Sequence, residues 1–459
     1  MTDRHAGLPG ILAMIFLMGC LLIAAPTLAE DFDEQGLPII KGRFTVEDAV
    51  VVALKYHPAI NTAKYDIAAA NARLSAARSM AKPQISAMLF GGKSTMSDII
   101  AGPTAILPNA IFSVPPQTGI AGQASLMLPI YTGGRLGSAI ENSRLIEESA
   151  QIGKKVVELD ISLSVHAAYH RALLAKAVSE IYASLVSETN ERVRVSEALF
   201  NEGKIAKYDL LRNQTISADA RQQYANAERD QKISIINLFA SIGISRSSDV
   251  TMVDTFTFNA NSLPLETLIT KAIENRPELA ALKLRTKAAS EKVRYAGGAY
   301  KPQVYGVAMQ SIIAGSDENK AGYTVGVTVA LPIIDGGSRR SEINELKAIH
   351  ESAKNDEKRM LIQIQQEVQT AFEELEVADK NVRISEAITN ATEDYRVIKL
   401  RYEAGKAVNV EVLDTLVSLI KARNNRIIAL HEYDIASDKL SRAVGELIMS
   451  AEMKEERKQ

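Results

Sequence analysis

Apolar and polar positions along this chain follow two periods, one helical and one strand-like, and the switches between them occur in the same order twice. Thr45-Val46-Glu47-Asp48 has the form of a capping box and opens a helix that runs towards Ala81. Pro58 interrupts its first turns, so the spacing predicts a short helix followed by a longer one. Lys82-Pro83 ends the longer helix, Gln84 to Lys93 reads as extended, and after a loop a second extended run covers Gly119 to Tyr131. Gly133-Gly134 then bends the chain into a helical stretch, Leu136 to Leu199, that contains no proline. Gly203 marks its end and a new helix begins near Lys207. The second half predicts the same order. A helix runs to Tyr300, strands cover Gln303–Ile313 and Gly322–Ile334, and a long helix spans Ser338–Leu400 and reaches Tyr402. Gly405 makes the next turn, and a last helix runs from Asn409 to about Leu447.

The two long stretches discriminate between fold classes. At 1.5 Å per residue each would reach roughly 90–100 Å, which implies a coiled coil or the wall of a tube. Ile364, Val368, Ala371, Leu375, Ala378 and Val382 alternate steps of four and three, the spacing of an a/d seam. The strands add a second discriminator. In Tyr323 to Leu331 one face reads Tyr, Val, Val, Val, Leu and the other Thr, Gly, Thr, Ala. Ala124, Leu126, Leu128 and Ile130 alternate in the same way with Gln123, Ser125 and Met127. Such alternation fits a lipid-facing wall over a polar or small-residue lumen.

The recurrence is an internal duplication. Pro58 and Pro277 are 219 residues apart, and so are the two Lys-Pro-Gln triplets at Lys82 and Lys301. Leu128-Pro129-Ile130 returns as Leu331-Pro332-Ile333 at a spacing of 203, and Gly203-Lys204 returns as Gly405-Lys406 at 202. The first copy therefore carries about 16 extra residues between its Lys-Pro-Gln and its Gly-Gly, and these are unusually apolar for a loop. The plan divides the chain into an N-terminal extension 30–44, a first repeat 45–242, a linker 243–263, a second repeat 264–447 and a charged tail 448–459. The first hairpin occupies 84–131 and the second 303–334. Three apolar 94–118 loops would fold over an outer mouth, and deleting 101–116 would then raise conductance.

Composition narrows the function. A net charge of −2, few aromatics and no Trp offer nothing to a nucleic-acid backbone or to stacked bases. Arg4 and His5, the apolar run Ile11 to Ala25 and the small residues before Glu30 describe a signal peptide, 1–29. Leu17-Met18-Gly19-Cys20 also has the form of a lipobox, which would place lipid on Cys20, the one cysteine. No apolar run beyond residue 29 is long enough for a membrane-spanning helix, so membrane crossing would fall to β-strands. Four strands cannot close a barrel and open edges are not viable in lipid. Eight strands from two chains leave a largely filled interior, so three chains and twelve strands are the smallest conducting solution.

The Pro signatures at 58 and 277, the two Leu-Pro-Ile-x-x-Gly-Gly elements and the Gly turns at 203 and 405 resemble the TolC family of outer-membrane efflux proteins. The resemblance covers about residues 45–447. It implies a mostly α protein with transmembrane β structure: a homotrimer with a 12-stranded β-barrel in outer-membrane lipid and a long periplasmic α-helical barrel. Its partners would be a periplasmic adaptor protein and an inner-membrane transporter, with no cofactor and no enzymatic site. A periplasmic coiled-coil adaptor is the competing reading, since adaptors also carry long helical hairpins.

Each candidate residue has a plainer explanation beside the functional one. Gly203, Lys204, Gly405 and Lys406 end helices, and the resemblance makes them adaptor-contact tips. Gly133, Gly134, Gly336 and Gly337 are strand-to-helix bends. Glu411 and Asp414 lie one turn apart, with Asp209 in the matching place of the first half; acids there satisfy a helix dipole. The resemblance makes Glu411 and Asp414 a lumenal acidic ring, and Tyr402 and Asp209 ties of the closed tip, with Tyr208 also at this gate. Ala407 stands where the family commonly has Arg, so Arg401 or Lys406 would have to supply a closing ion pair. His166 and His170 have the i, i+4 spacing of a zinc pair but lack a third ligand nearby, and read as solvated or seam histidines.

Overall fold

The computed structural model describes residues 31–32, 38–39, 42–93, 99–100, 111–112, 118–244, 250–256, 258, 263–315 and 319–446. The signal segment with Cys20, the charged tail and most of the 94–118 loop lie outside the described residues.

In chain order, β1 (Asp31–Phe32) pairs with β2 (Pro38–Ile39), and β3 (Gly42–Phe44) leads into α1 (Val46–Tyr56) and α2 (Pro58–Ser79). Next come β4 (Gln84–Lys93), the short antiparallel pair β5 (Ile99–Ile100) and β6 (Ile111–Phe112), and β7 (Thr118–Tyr131). α3 (Arg135–Asn201) and α4 (Lys207–Ile242) form the first helical hairpin, and β8 (Val250–Met252) pairs in parallel with β3. The second repeat gives α5 (Leu265–Asn275), α6 (Pro277–Gly297), β9 (Gln303–Gly315), β10 (Asn319–Ala330), α7 (Ser338–Ile384), α8 (Ile388–Glu403) and α9 (Asn409–Val444).

The predicted capping box is present. Thr45 Oγ1 accepts from the Asp48 amide at 3.2 Å and the Asp48 carboxylate accepts from the Thr45 amide at 3.0 Å. Pro58 and Pro277 each occupy the first turn of the longer helix, where a missing amide costs nothing. α3 has 67 residues, hence a length of about 100 Å. All six seam residues from Ile364 to Val382 are buried. Among the described residues two cores form, one in each half. Phe44, Val50, Val165, Tyr169, Leu238 and Ile242 pack in the first. Leu279, Ile364, Val368, Tyr433 and Leu440 pack in the second.

The expected unbroken second helix is corrected. A 3-10 turn at Ser385–Ala387 separates α7 from α8. Here the carbonyl of Val382 leaves the helical ladder and accepts from Arg426 on α9 at 3.0 Å and from the Ser385 hydroxyl at 2.6 Å. Arg426 also reaches Ser385 Oγ at 3.2 Å. A partner from another helix thus satisfies the interruption. The second strand of the second hairpin is also shorter than expected: it ends at Ala330, ahead of Pro332, which has no amide to donate to a ladder.

Candidate channel tip and lumen

Four strands form one antiparallel sheet in the order β10-β9-β7-β4, with β10 and β4 at its edges. Directly opposed residues of an antiparallel pair project to the same face. Tyr323 opposes Gln310, which opposes Ala124, which opposes Ala87; Val325 opposes Ala308, Leu126 and Ile85 in the same sequence. The apolar sets read separately from the two hairpins therefore fall on one continuous face. The residues between them, such as Thr324, Met309, Ser125 and Ser86, form the other. There Ser86 and Ser125 hydroxyls bond across strands at 2.8 Å. The apolar face is open, with Tyr323 81% and Val329 63% exposed. Gln310 interrupts that face in mid-strand, and Asn319 and the Lys93–Thr118 pair stand on it at the far ends of their strands.

The Gly-Gly bends carry the chain from sheet to helix. Gly133, Gly134, Gly336 and Gly337 all have φ between 65° and 92°. A β-carbon on Gly133 would lie 2.5 Å from the carbonyl oxygen of Gly298, so this bend also needs glycine for close approach. An arginine follows each bend and lies over a tyrosine ring of the second repeat: Arg135 over Tyr295 at 4.4 Å and Arg339 over Tyr300 at 5.1 Å.

The two far ends are built alike. Gly203 and Gly405 have φ of 71° and 69°. The Lys204 amide donates to Leu199 and the Lys406 amide to Arg401, both at 2.8 Å, while Gly203 donates to Phe200 and Gly405 to Tyr402, both at 2.9 Å. These are paired Schellman ends. Lys204 is held by Glu202 at 2.6 Å. The next helices, α4 and α9, have Ala206 and Val408 at their N-caps and so no side-chain cap. Asp209 and Glu411 each stand in the first turn, where a carboxylate offsets the uncapped amides. Glu411, Asp414 and Tyr208 are exposed, and Asp209 and Tyr402 are half-buried. Tyr208 accepts from Arg212 at 3.0 Å.

The structure does not join Asp209 to Tyr402 by a hydrogen bond, and among the described residues neither Arg401 nor Lys406 forms an ion pair. The hairpins meet through residues that sequence reasoning did not single out. Asn409 Nδ2 donates to Asn213 Oδ1 at 3.1 Å, and Asn213 Nδ2 donates to Ser196 Oγ at 2.6 Å. All three are buried, at 7%, 3% and 2% exposure, and Asn409 Oδ1 has no partner. Further along, Glu188 of α3 receives the Tyr395 hydroxyl and the Lys399 ammonium of α8, the latter at 2.9 Å. Burial alone would raise the Glu188 pKa; the bonds from Tyr395 and Lys399 and the Arg192 charge outweigh it and hold it below the ordinary value.

His166 and His170 are seam residues. His166 is buried with Nδ1 2.8 Å from the Ser162 carbonyl, and His170 lies between Asp434 and Asp438 of α9. Among the described residues no three His, Cys, Asp or Glu side chains are arranged to hold a metal ion, and no helix is long and apolar enough to cross a membrane.

A sheet apolar on one face and polar on the other, continued by helical hairpins that reach far beyond it, is the build of an outer-membrane channel chain. The chain belongs to the outer membrane efflux protein family, which it matches over residues 49–244 and 268–446. Membership places the sheet in the outer membrane and the helices in the periplasm, and decides against the adaptor reading. The fold is shared with solved channels at low sequence identity. The outer membrane protein VceC of Vibrio cholerae is 16% identical with a TM-score of 0.70, the match covering 87% of this chain and 96% of that one. The CmeC outer membrane channel of Campylobacter jejuni is 15% identical with a TM-score of 0.73, covering 90% of this chain and 88% of that one. The open state of the MtrE channel of Neisseria gonorrhoeae is 16% identical with a TM-score of 0.71, covering 88% and 89%. No curated protein sequence matches the chain.

Proposed function

We propose that three copies of this chain pair β10 of one with β4 of the next, closing a 12-stranded barrel above a helical tube, and that the assembly is a passive export duct. The observation that carries this is the sheet itself: one face is apolar and the other polar, yet among the described residues β10 and β4 have no strand along their outer edges. An open edge in hydrocarbon leaves amides and carbonyls without partners, so copies must supply them. Repeats 45–242 and 264–447 then each contribute one hairpin of barrel and one of tube. The mature chain begins after residue 29 or at a lipidated Cys20.

The tips at Gly203-Lys204 and Gly405-Lys406 meet a periplasmic adaptor protein, and an inner-membrane transporter provides the energy and the choice of cargo. Threefold repetition brings six carboxylates, from Glu411 and Asp414, to the inner constriction, with Asp209, Tyr208 and Tyr402 at its rim. A ring of carboxylates favours cations. Planar-bilayer recording tests this: wild type is cation-selective, and Glu411→Ala with Asp414→Ala loses that preference. Outer-membrane fractions should also contain heat-modifiable trimers. Unchanged selectivity removes the acids from the gate, and monomers in periplasmic extract remove the duct altogether.

A further inference from the structure

A second group of titratable side chains lies well away from the tip, where α3 of the first repeat packs on α9 of the second. His170 Nε2 is 3.3 Å from Asp438 Oδ2 and its Nδ1 is 3.7 Å from Asp434 Oδ2. The three side chains are 14%, 16% and 15% exposed. Both contacts fall short of aligned hydrogen bonds: His170 Nδ1, Asp438 Oδ2 and, nearby, His431 Nδ1 have no hydrogen-bond partner. Phe256 of the linker stacks on His170 at 6.4 Å and meets His431 edge-on at 6.3 Å, so the linker closes the group from one side.

The charges facing His170 are unbalanced. α9 supplies Asp434, Asp438 and the imidazole of His431, and the linker supplies Asp254, whose carboxylate accepts from the Val46 amide at 2.9 Å. α3 supplies His166, bonded to its own backbone, and Arg171, whose charge acts on His431. Glu47 of α1 acts on Tyr169 behind the ring, and Glu373 and Glu374 of α7 line the groove beside His431, the latter tied to Lys439 at 2.7 Å. One turn along α9, Arg442 is committed to Asp160 and Glu278, each at 2.6 Å. A proton on His170 is therefore the cation directly between Asp434 and Asp438.

We propose that His170 is a proton-dependent clasp between the two repeats. Protonated, it bridges Asp434 and Asp438 and holds α3 against α9; deprotonated, it leaves two carboxylates crowded in a nearly dry seam, which loosens and biases the helical tube below towards opening.

Burial on its own would favour neutral His170, but contact with Asp438 and the charges of Asp434 and Asp254 outweigh it and raise its pKa above 6.5. Its contribution to stability is thus complete below 6.5 and lost as the pH rises through that raised value. Burial, with repulsion from Asp438, lifts Asp434 to about 6 against the pull of His170, so its contribution has the same sign but is lost lower, as the pH rises through about 6. Burial first, then the His170 and Arg171 charges, push His431 down to about 4; its contribution has the opposite sign and falls as the pH drops from 6.5. Of these three groups, His170 is the one that gives up its proton above pH 6.5.

The test uses the full trimeric channel and rests on the channel reading above. In planar bilayers, a Glu411→Gln, Asp414→Asn background takes the paired acids out of the constriction. There the open-to-closed ratio should rise as the pH is raised above 6.5, by up to about tenfold per pH unit, the limit for one linked proton. His170→Gln should abolish that slope, and His170→Arg, with a permanent charge, should hold the low-pH ratio as the pH is raised. Thermal denaturation should follow: the wild-type midpoint falls over the same rise in pH and that of His170→Gln does not. A conducting channel whose pH slope survives His170→Gln overturns the clasp and leaves the duct intact. Wild-type protein that forms no channel overturns the duct reading itself, and a pH-dependent midpoint lost in His170→Gln would still support the clasp.

Discussion

The two repeats carry one plan but build its longest helix differently. In the first, α3 runs 67 residues from bend to tip without interruption. In the second, the matching stretch is divided at Ser385–Ala387, and Arg426 of α9 holds the freed Val382 carbonyl. The continuous helix acts as a strut. The divided one has a joint above its tip, with α8 below it tied to the strut through Glu188. The paired acids Glu411 and Asp414 follow the tip that the jointed helix carries. Rigidity and the candidate gate are thus assigned to different copies, which a duplication permits once its halves diverge.

Proline breaks this comparison most sharply. Ser184 and Glu386 are equivalent positions, both exposed, so packing does not confuse the result. Ser184→Pro removes a ladder bond from the strut and should cost about 3 kcal/mol or more. Glu386→Pro falls where the ladder has already lapsed and should cost about 1 kcal/mol less than that. Equal losses in thermal denaturation would mean that the joint is not a real weak point.

Next in size is Arg426. Arg426→Gln leaves the Val382 carbonyl without its charged donor and should cost about 1.5–3 kcal/mol. Channel recordings should then show altered opening while cation selectivity stays as in wild type. A smaller effect comes from the Asn409–Asn213 contact between the hairpins. Asn213→Leu or Asn409→Leu alone strands a buried amide, at about 1–2 kcal/mol each, and the double variant should cost less than their sum. Additive losses would show that the two amides do not act as a pair.

Much of this frame was legible in the chain. The glycine and proline punctuation gave the duplication and the element order, because those residues act on their own backbone. The seam from Ile364 to Val382 was readable because burial follows a fixed period. Strand alternation marked the apolar face in each hairpin, and the register then joined the two. The joint was not legible: Ser385-Glu386-Ala387 contains neither proline nor glycine, and its cause, Arg426, lies 41 residues away from Ser385. The same holds at the tip and the seam. Asn213 and Asn409 are 196 residues apart, and His170 meets Asp438 only through the packing of one repeat on the other. Polar contacts made across a fold leave no period to read.

The smallest predicted stability effect separates two roles for the same carboxylates. Asp209 and Glu411 occupy equivalent first-turn positions on helices that both lack a side-chain cap. As dipole partners they should be interchangeable: Asp209→Asn and Glu411→Gln should each cost about 0.3–1 kcal/mol, screened by added salt. As gate residues they should differ, because the second tip adds Asp414 one turn further on and the first has Arg212 beside Tyr208 instead. Ion selectivity should therefore fall in Glu411→Gln and hold in Asp209→Asn, although both lose similar stability. Matching losses of selectivity would make the two tips equal contributors to the constriction, and the division of labour between strut and jointed repeat would then stop at the backbone.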